Sequence, residues 1–165
     1  MMQITHPSDD LQTDARRLAA VCLENSREPA LGKHLHAAEW AQLLPYLHLT
    51  LLAPSQVLIT QGASDRTVYF IESGNLSVHY EDAAGRIRLA VVGPGSAVGE
   101  GSFFSHQPRN ATVQATSASR VWALSPARFA ELSNRNPATA VAVTLALGGL
   151  VSTRTLDRRK RVSVT

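Results

Sequence analysis

The sequence predicts an α+β fold: about eight short strands closed into a β sandwich or roll, preceded by helices and followed by two more. Three observations carry this. Between His48 and Ser125 the chain is a series of β-branched and aromatic runs separated by Gly, Asp, Asn and Pro, the pattern of a compact all-β unit with closely spaced turns. On either side of that stretch, apolar residues recur at helical spacing instead. No long repeat or low-complexity linker divides the chain, and helices gathered at the ends of a β unit make one α+β domain.

Residues Ser8 to Asn25 read as the first helix, with Leu11, Ala15, Leu18, Ala19 and Cys22 on one face and Asp9 and Asp10 at the positive end. Pro29 and Gly32 are expected to end it. A second helix, Ala37 to Tyr46, sets Trp40, Leu43, Leu44 and Leu47 on one side. The strands expected next are His48 to Leu52, Gln56 to Thr60, Thr67 to Glu72, Leu76 to Glu81, Ile87 to Val92, Ala97 to Val98, Ala111 to Thr116 and Arg120 to Leu124. Ser73-Gly74-Asn75 suggests a tight hairpin with Gly74 at positive φ, and Ala83-Ala84-Gly85 a longer one. Ser125-Pro126 is a helix start, a capping hydroxyl before a proline that fits the first helical position. Asn136-Pro137 repeats the signal. The last helix runs from Pro137 towards Arg159, and its Gly148 and Gly149 each weaken it by about 1 kcal/mol relative to alanine. A bend near Gly148, or close contact with a partner, follows.

With 165 residues, 44% of them apolar and 18% charged, the chain has the composition of a soluble globular domain and enough length for one core. Cys22 is the sole cysteine, which excludes an internal disulfide and a cysteine-rich metal site. Met1 to Asp10 lacks the basic-then-apolar order of a secretory signal, so a cytoplasmic location is expected. Pro137 to Thr153, the longest uncharged apolar stretch, is shorter than the roughly 20 residues of a membrane span and reads as a buried or dimer-forming helix. The basic pI of 9.5 is local. Arg154, Arg158, Arg159, Lys160 and Arg161 against Asp157 give +4, while the whole chain is +3, so the body before them is −1. The tail reads as a solvated terminus on a helix C-terminal end, where positive charge is favourable.

The stretch from Gly93 to Val113 differs from its surroundings: it interrupts the strands with glycines, one carboxylate (Glu100) and one arginine (Arg109). Backbone N–H groups at the start of a short turn over Gly99 to Phe104 would favour an anion. Arg109 would add a planar cationic fork for phosphate oxygens, and Glu100 an acceptor suited to a ribose hydroxyl.

This segment resembles the phosphate-binding cassette of cyclic-nucleotide-binding domains, the family of catabolite activator proteins and of the regulatory subunits of cyclic-AMP-dependent kinase. The family pattern is Phe-Gly-Glu-Leu-Ala-Leu, a few residues, then Pro-Arg-small-Ala-Thr-Val. Gly99-Glu100 and Pro108-Arg109-Asn110-Ala111-Thr112-Val113 match it in order, with the kinase-type step from Glu100 to Arg109. Gln61-Gly62, Tyr69-Phe70-Ile71, Ser73-Gly74 and Gly93-Pro94-Gly95 fall where the family places its structural signals. The resemblance spans about Ala37 to Asp157 and implies an eight-stranded β jelly roll. Residues 1–36 are then an N-terminal helical extension, 37–157 the binding domain (roll 48–125, helices 126–157) and 158–165 a basic tail.

The resemblance also implies a cyclic mononucleotide, cyclic AMP or cyclic GMP, as ligand. Glu100 would take the ribose 2′-hydroxyl and Arg109 the exocyclic phosphate oxygens, with Gly99, Gly101, Ser102, Asn110 and Ala111 completing the cradle. Arg154 and Thr155 lie where the family draws base contacts from its last helix; they either meet the base or are solvated. Gly101 replaces the usual leucine, Ser102 the usual alanine, and Asn110 the small residue after the arginine. Gly101 removes an apolar anchor, so a jelly roll that has lost its ligand and serves as an interaction module is the alternative, with an Arg109–Glu100 ion pair on its surface.

Neither a metal cofactor nor an enzymatic activity is expected. His34, His36 and Glu39 precede the roll and have the wrong spacing for a cupin-type metal site, and no nucleophile–His–acid set is visible. Transcription-factor members of the family continue into a helix-turn-helix, whereas this sequence ends eight residues after Asp157, so direct DNA binding is not expected. The expected function is a sensor that moves its C-terminal helix against an unknown effector protein or a second copy.

Overall fold

A computed structural model describes residues 7–162. In chain order the elements are α1 (Pro7–Glu24), α2 (Ala30–His34), α3 (Ala37–Leu43), a 3-10 turn (Leu44–Tyr46), β1 (His48–Leu52), β2 (Val57–Ile59), β3 (Val68–Ser73), β4 (Leu76–Asp82), β5 (Gly85–Val92), β6 (Ala97–Val98), α4 (Glu100–Ser105), β7 (Thr112–Ala115), β8 (Ser119–Leu124), α5 (Pro126–Arg135) and α6 (Pro137–Val162). All eight expected strands are present, with ends displaced by no more than two residues. They form two antiparallel four-stranded sheets, ordered β1-β8-β3-β6 and β2-β7-β4-β5, which is the layout of a jelly roll.

Strand alternation divides the core into two layers. In β3, Val68 and Phe70 point to the helices, while Ile71 faces the opposite sheet; in β8, Trp122 and Leu124 face the helices and Val121 the roll interior. Between the sheets lie Leu52, Ile59, Leu76, Val92 and Val113. On the outside of the first sheet, α1, α2, α3 and α6 share one buried cluster, with the Trp40 ring edge-on to Phe70 at 5.2 Å. Cys22 is buried in that cluster, and burial pushes its thiol up to about 12, which removes it from thiolate chemistry.

Four local expectations are corrected. Pro29 and Gly32 do not merely end a helix: Pro29 caps α2 and Gly32 lies inside it. A Cβ on Gly32 would stand 2.7 Å from the Cys22 carbonyl oxygen, so glycine there lets α2 pack against α1. The second helix breaks into α3 and a 3-10 turn at Pro45. Ser73-Gly74-Asn75 is not a hairpin, because β3 and β4 belong to different sheets; Gly74, at φ +85, steers the chain from one sheet to the other. The tight hairpin is the other one: Asp82 pairs with Gly85 across a two-residue turn, and the Asp82 carboxylate accepts the Ala84 N–H at 2.8 Å.

Helix α6 continues through Gly148 as a single helix. By length and composition it could cross a membrane, but Ala140, Val143, Ala146, Leu147 and Leu150 are buried against the rest of the domain, as in a core helix. Asn136-Pro137 and the Ser125 hydroxyl, which accepts the Arg128 N–H, start α6 and α5 as expected. Glu39 accepts the backbone N–H of His36 at 2.9 Å and so acts as the cap of α3.

Glu72 of β3 is the polar tie between the layers. Its buried carboxylate accepts from Arg17 of α1 (2.8 Å) and from Trp122 Nε1 (2.6 Å) and Arg120 (3.3 Å) of β8. Burial alone would raise its pKa; the hydrogen bonds and charges of Arg17, Trp122 and Arg120 outweigh that and hold it below its ordinary 4.5. Glu72→Ala is expected to lower stability by about 2 kcal/mol in denaturant unfolding, since the buried Trp122 N–H loses its acceptor. The wild-type contribution is complete above the ordinary carboxylate value and drains away as pH falls through the lower folded value. Melts between pH about 6 and about 3 should therefore show a steeper acid loss for wild type than for Glu72→Ala.

Candidate functional site

The site begins at a backbone turn that only glycine fits. Gly99 has φ +86, and a Cβ on it would lie 2.7 Å from both Arg109 Nη1 and the Thr67 carbonyl oxygen. From that left-handed residue the chain enters α4, whose first-turn N–H groups, at Glu100, Gly101 and Ser102, have no helical carbonyl to meet. Ser102 is buried, while nothing lies within 4 Å of a Cβ built on Gly101. The space left by the family's leucine is open.

Arg109 is 3% exposed, so its charge must be compensated in place. Nε and Nη2 donate to the Asp65 carboxylate at 2.9–3.1 Å, Nη2 also to the Thr67 carbonyl (2.6 Å), and Nη1 to the Gly99 carbonyl (3.0 Å). A guanidinium has five N–H bonds, so one Nη1 hydrogen has no partner among the described residues. Burial tends to raise the Asp65 pKa, but the Thr67 N–H at 2.9 Å and Arg109 prevail and hold it below its ordinary value. The expected alternative of an Arg109–Glu100 ion pair is therefore corrected: Arg109 belongs to Asp65.

Glu100 is paired from a different direction. Arg154 of α6 donates through Nη1 to Glu100 Oε1 at 2.6 Å, and among the described residues the second carboxylate oxygen has no hydrogen-bond donor. Arg154 also donates to both oxygens of Glu28 (2.7 and 3.1 Å), to the Ser96 hydroxyl (2.9 Å) and to the Ala97 carbonyl (2.9 Å). Ser96 in turn donates to Glu28. Burial pushes Glu28 up and Arg154 pulls it further down, for a net fall. Arg154 is accordingly an ion-pair centre, which neither of the two sequence readings anticipated.

All nine candidate residues, Gly99, Glu100, Gly101, Ser102, Arg109, Asn110, Ala111, Arg154 and Thr155, line one cavity of about 840 Å³. The inward positions of the second sheet, among them Val78, Val92 and Val113, form an apolar wall. Asn25, Arg27 and Glu28 line the cavity as well. A cavity of this size, with an apolar wall and many charged and polar groups, suits a small polar organic ligand. Sequence reasoning missed the charged partners of Arg109 and Arg154, which are Asp65 and Glu28, and also Arg27, Asp157 and Arg158 on the cavity lining. Asp65 carried a weak signal, an Asx-type residue two before a strand-side N–H; Glu28 carried none, because its partner lies 126 positions away.

Residues 49–136, just over half of the chain, match the cyclic nucleotide-binding domain. The chain belongs to the cyclic nucleotide-binding domain family. A putative potassium channel protein of Rhodopseudomonas palustris is 31% identical over 112 residues, 67% of this chain and 26% of that protein. The cAMP-activated global transcriptional regulator CRP of Salmonella typhimurium is 33% identical over 101 residues, 60% of this chain and 47% of that protein. The chain thus spans half or less of the length of these relatives. In fold, it resembles the crystal structure of a cyclic nucleotide-binding domain from Methylobacillus flagellatus KT, with a TM-score of 0.79 at 20% identity, covering 92% of this chain and 83% of that one. Glu28 and Arg154 both lie outside the matched segment.

Gly99→Ala is expected to destabilise the domain by about 2 kcal/mol, because the new methyl both strains a left-handed backbone and displaces Arg109. Thermal or denaturant unfolding checks this, and Gly101→Ala, where space is open, should leave stability unchanged or slightly raised.

Proposed function

We propose that this chain is a cytoplasmic, non-enzymatic sensor domain that binds cyclic AMP or cyclic GMP and signals through movement of α6. One observation supports this above all: Arg109, Glu100 and the unpaired first-turn N–H groups of α4 converge on the cavity, as a cyclic phosphate joined to a ribose requires. The phosphate would take the remaining Nη1 hydrogen of Arg109 and backbone N–H groups near Gly101, Ser102, Asn110 and Ala111. The ribose 2′-hydroxyl would donate to the unoccupied oxygen of Glu100. Arg154 would offset the Glu100 charge beside the anion.

The base would lie toward α6, whose Val151, Arg154 and Thr155 form one side of the cavity. A ligand shifts α6 only by binding its two positions unequally, and the Arg154–Glu100 pair supplies such a difference. The effector would be a second copy or another protein. Val141, Leu145 and Leu156 are each more than half exposed and lie on one face of α6, opposite its buried side. Gly148 falls on the same face with nothing within 4 Å of an added Cβ, so the chain itself gives no packing reason for it and a closely packed second α6 does.

The alternative, an interaction module without ligand, rests on Asp65 and Arg154 already satisfying the two charged residues. Calorimetric titration separates the two. Saturable 1:1 binding of cyclic AMP or cyclic GMP at sub-millimolar concentration is expected, and Arg109→Lys should weaken it about 10- to 100-fold, because an ammonium cannot keep the fork on Asp65 and still aim an N–H at the phosphate. No saturation with either nucleotide supports the interaction module. Leu145→Glu is expected to turn a dimer into a monomer in sedimentation without changing the fold; a wild-type monomer would contradict the dimer.

A further inference from the structure

Arg154 joins three segments far apart in sequence, and its hydrogen bonds are unevenly divided. Nε and Nη2 form a fork on Glu28, whereas only Nη1 reaches Glu100. Two carboxylates share one guanidinium in a cluster whose side chains are no more than 24% exposed. Arg27 and Arg158 also line the cavity, but both are exposed, where solvent and salt screen them. Asp157 lines it as well and is exposed, and the buried Arg109 is already paired with Asp65. An anionic ligand beside Glu100 and Glu28 therefore meets two carboxylates that share one guanidinium, a repulsion relieved by moving the carboxylate on the less constrained backbone.

By its backbone setting that carboxylate is Glu28, although its side chain accepts from Ser96 as well as from Arg154. Glu100 is fixed in the first turn of α4 by Gly99. Glu28 lies in the connector between α1 and α2, with its backbone N–H on the Asn25 side chain at 3.1 Å. We propose that Glu28 is an affinity-setting residue of the cavity: it holds Arg154 in a fork that ligand entry opens, so nucleotide occupancy and docking of the Asn25–Glu28 segment on α6 oppose each other. This rests on the reading of the cavity as a cyclic-nucleotide site and extends it to a segment outside the family match. By linkage the opposition is reciprocal: whatever holds the connector on α6 weakens the nucleotide, and the nucleotide loosens the connector.

The test uses the full chain, cyclic AMP and cyclic GMP. Glu28→Gln keeps the side-chain shape and removes the charge. It is expected to tighten the better-bound nucleotide, by about tenfold if the fork is closed in about nine molecules of ten, while lowering the melting temperature without ligand. A purely structural role would lower both affinity and stability, so unchanged or weakened binding in Glu28→Gln overturns the inference. Hydrogen exchange on the wild-type protein gives an answer even if the variant does not fold. Amides of Asn25 to Glu28 should exchange faster once nucleotide is bound, and unchanged or slower exchange also overturns it. If the wild-type protein binds neither nucleotide, the reading of the cavity itself fails and this inference falls with it; if it binds and Glu28→Gln is not tighter, only this inference fails.

Discussion

A buried guanidinium organises this domain's chemistry. Arg109 is almost without solvent, so its charge has to be met where it stands, and the chain around it is arranged to do that. Asp65 supplies the counter-charge, while Thr67 and Gly99 turn their carbonyls inward. Those contacts fix the segment before β3 against the turn before α4, and they require a glycine at position 99. The geometry of the cradle follows from the needs of one cation, which also lines the cavity.

Around that centre, strand alternation places the rest. Because successive residues face opposite ways, strands of the second sheet bring Val78, Val92 and Val113 to the cavity, with a register shift next to Val78. The first sheet is buried on both faces, by the other sheet and by four helices, so the N-terminal helices and α6 are as much part of the fold as the roll. Helix α6 packs on the domain, walls the cavity through Arg154 and Thr155, and presents a third face outward. One rigid element carrying all three roles is suited to turning a change in the cavity into a change at the surface.

Much of this was legible in the sequence. The strands were readable because short β-branched runs separated by glycine and proline leave little choice of period. The cassette was readable because glutamate and arginine occur at a family spacing within a glycine-rich stretch. The hairpins were assigned the wrong way round, since Ser73-Gly74-Asn75 has turn chemistry but local sequence does not say that the strands on its two sides join different sheets. Gly32 was read as a breaker because the close approach of Cys22, which explains it, is tertiary. The ion-pair partners were least legible: the alternative, ligand-free reading paired Glu100 with Arg109, whereas the fold brings Asp65 to Arg109 and Arg154, with Glu28 behind it, to Glu100.

Amide chemical shifts during a nucleotide titration test the central claim most directly. Addition of cyclic AMP or cyclic GMP should displace the resonances of Gly101, Ser102, Asn110 and Ala111 together with Arg154 on α6, saturably and with one dissociation constant, and the linear 5′-monophosphate should do so far more weakly. Unmoved cassette amides, or equal shifts with the linear nucleotide, would contradict the account.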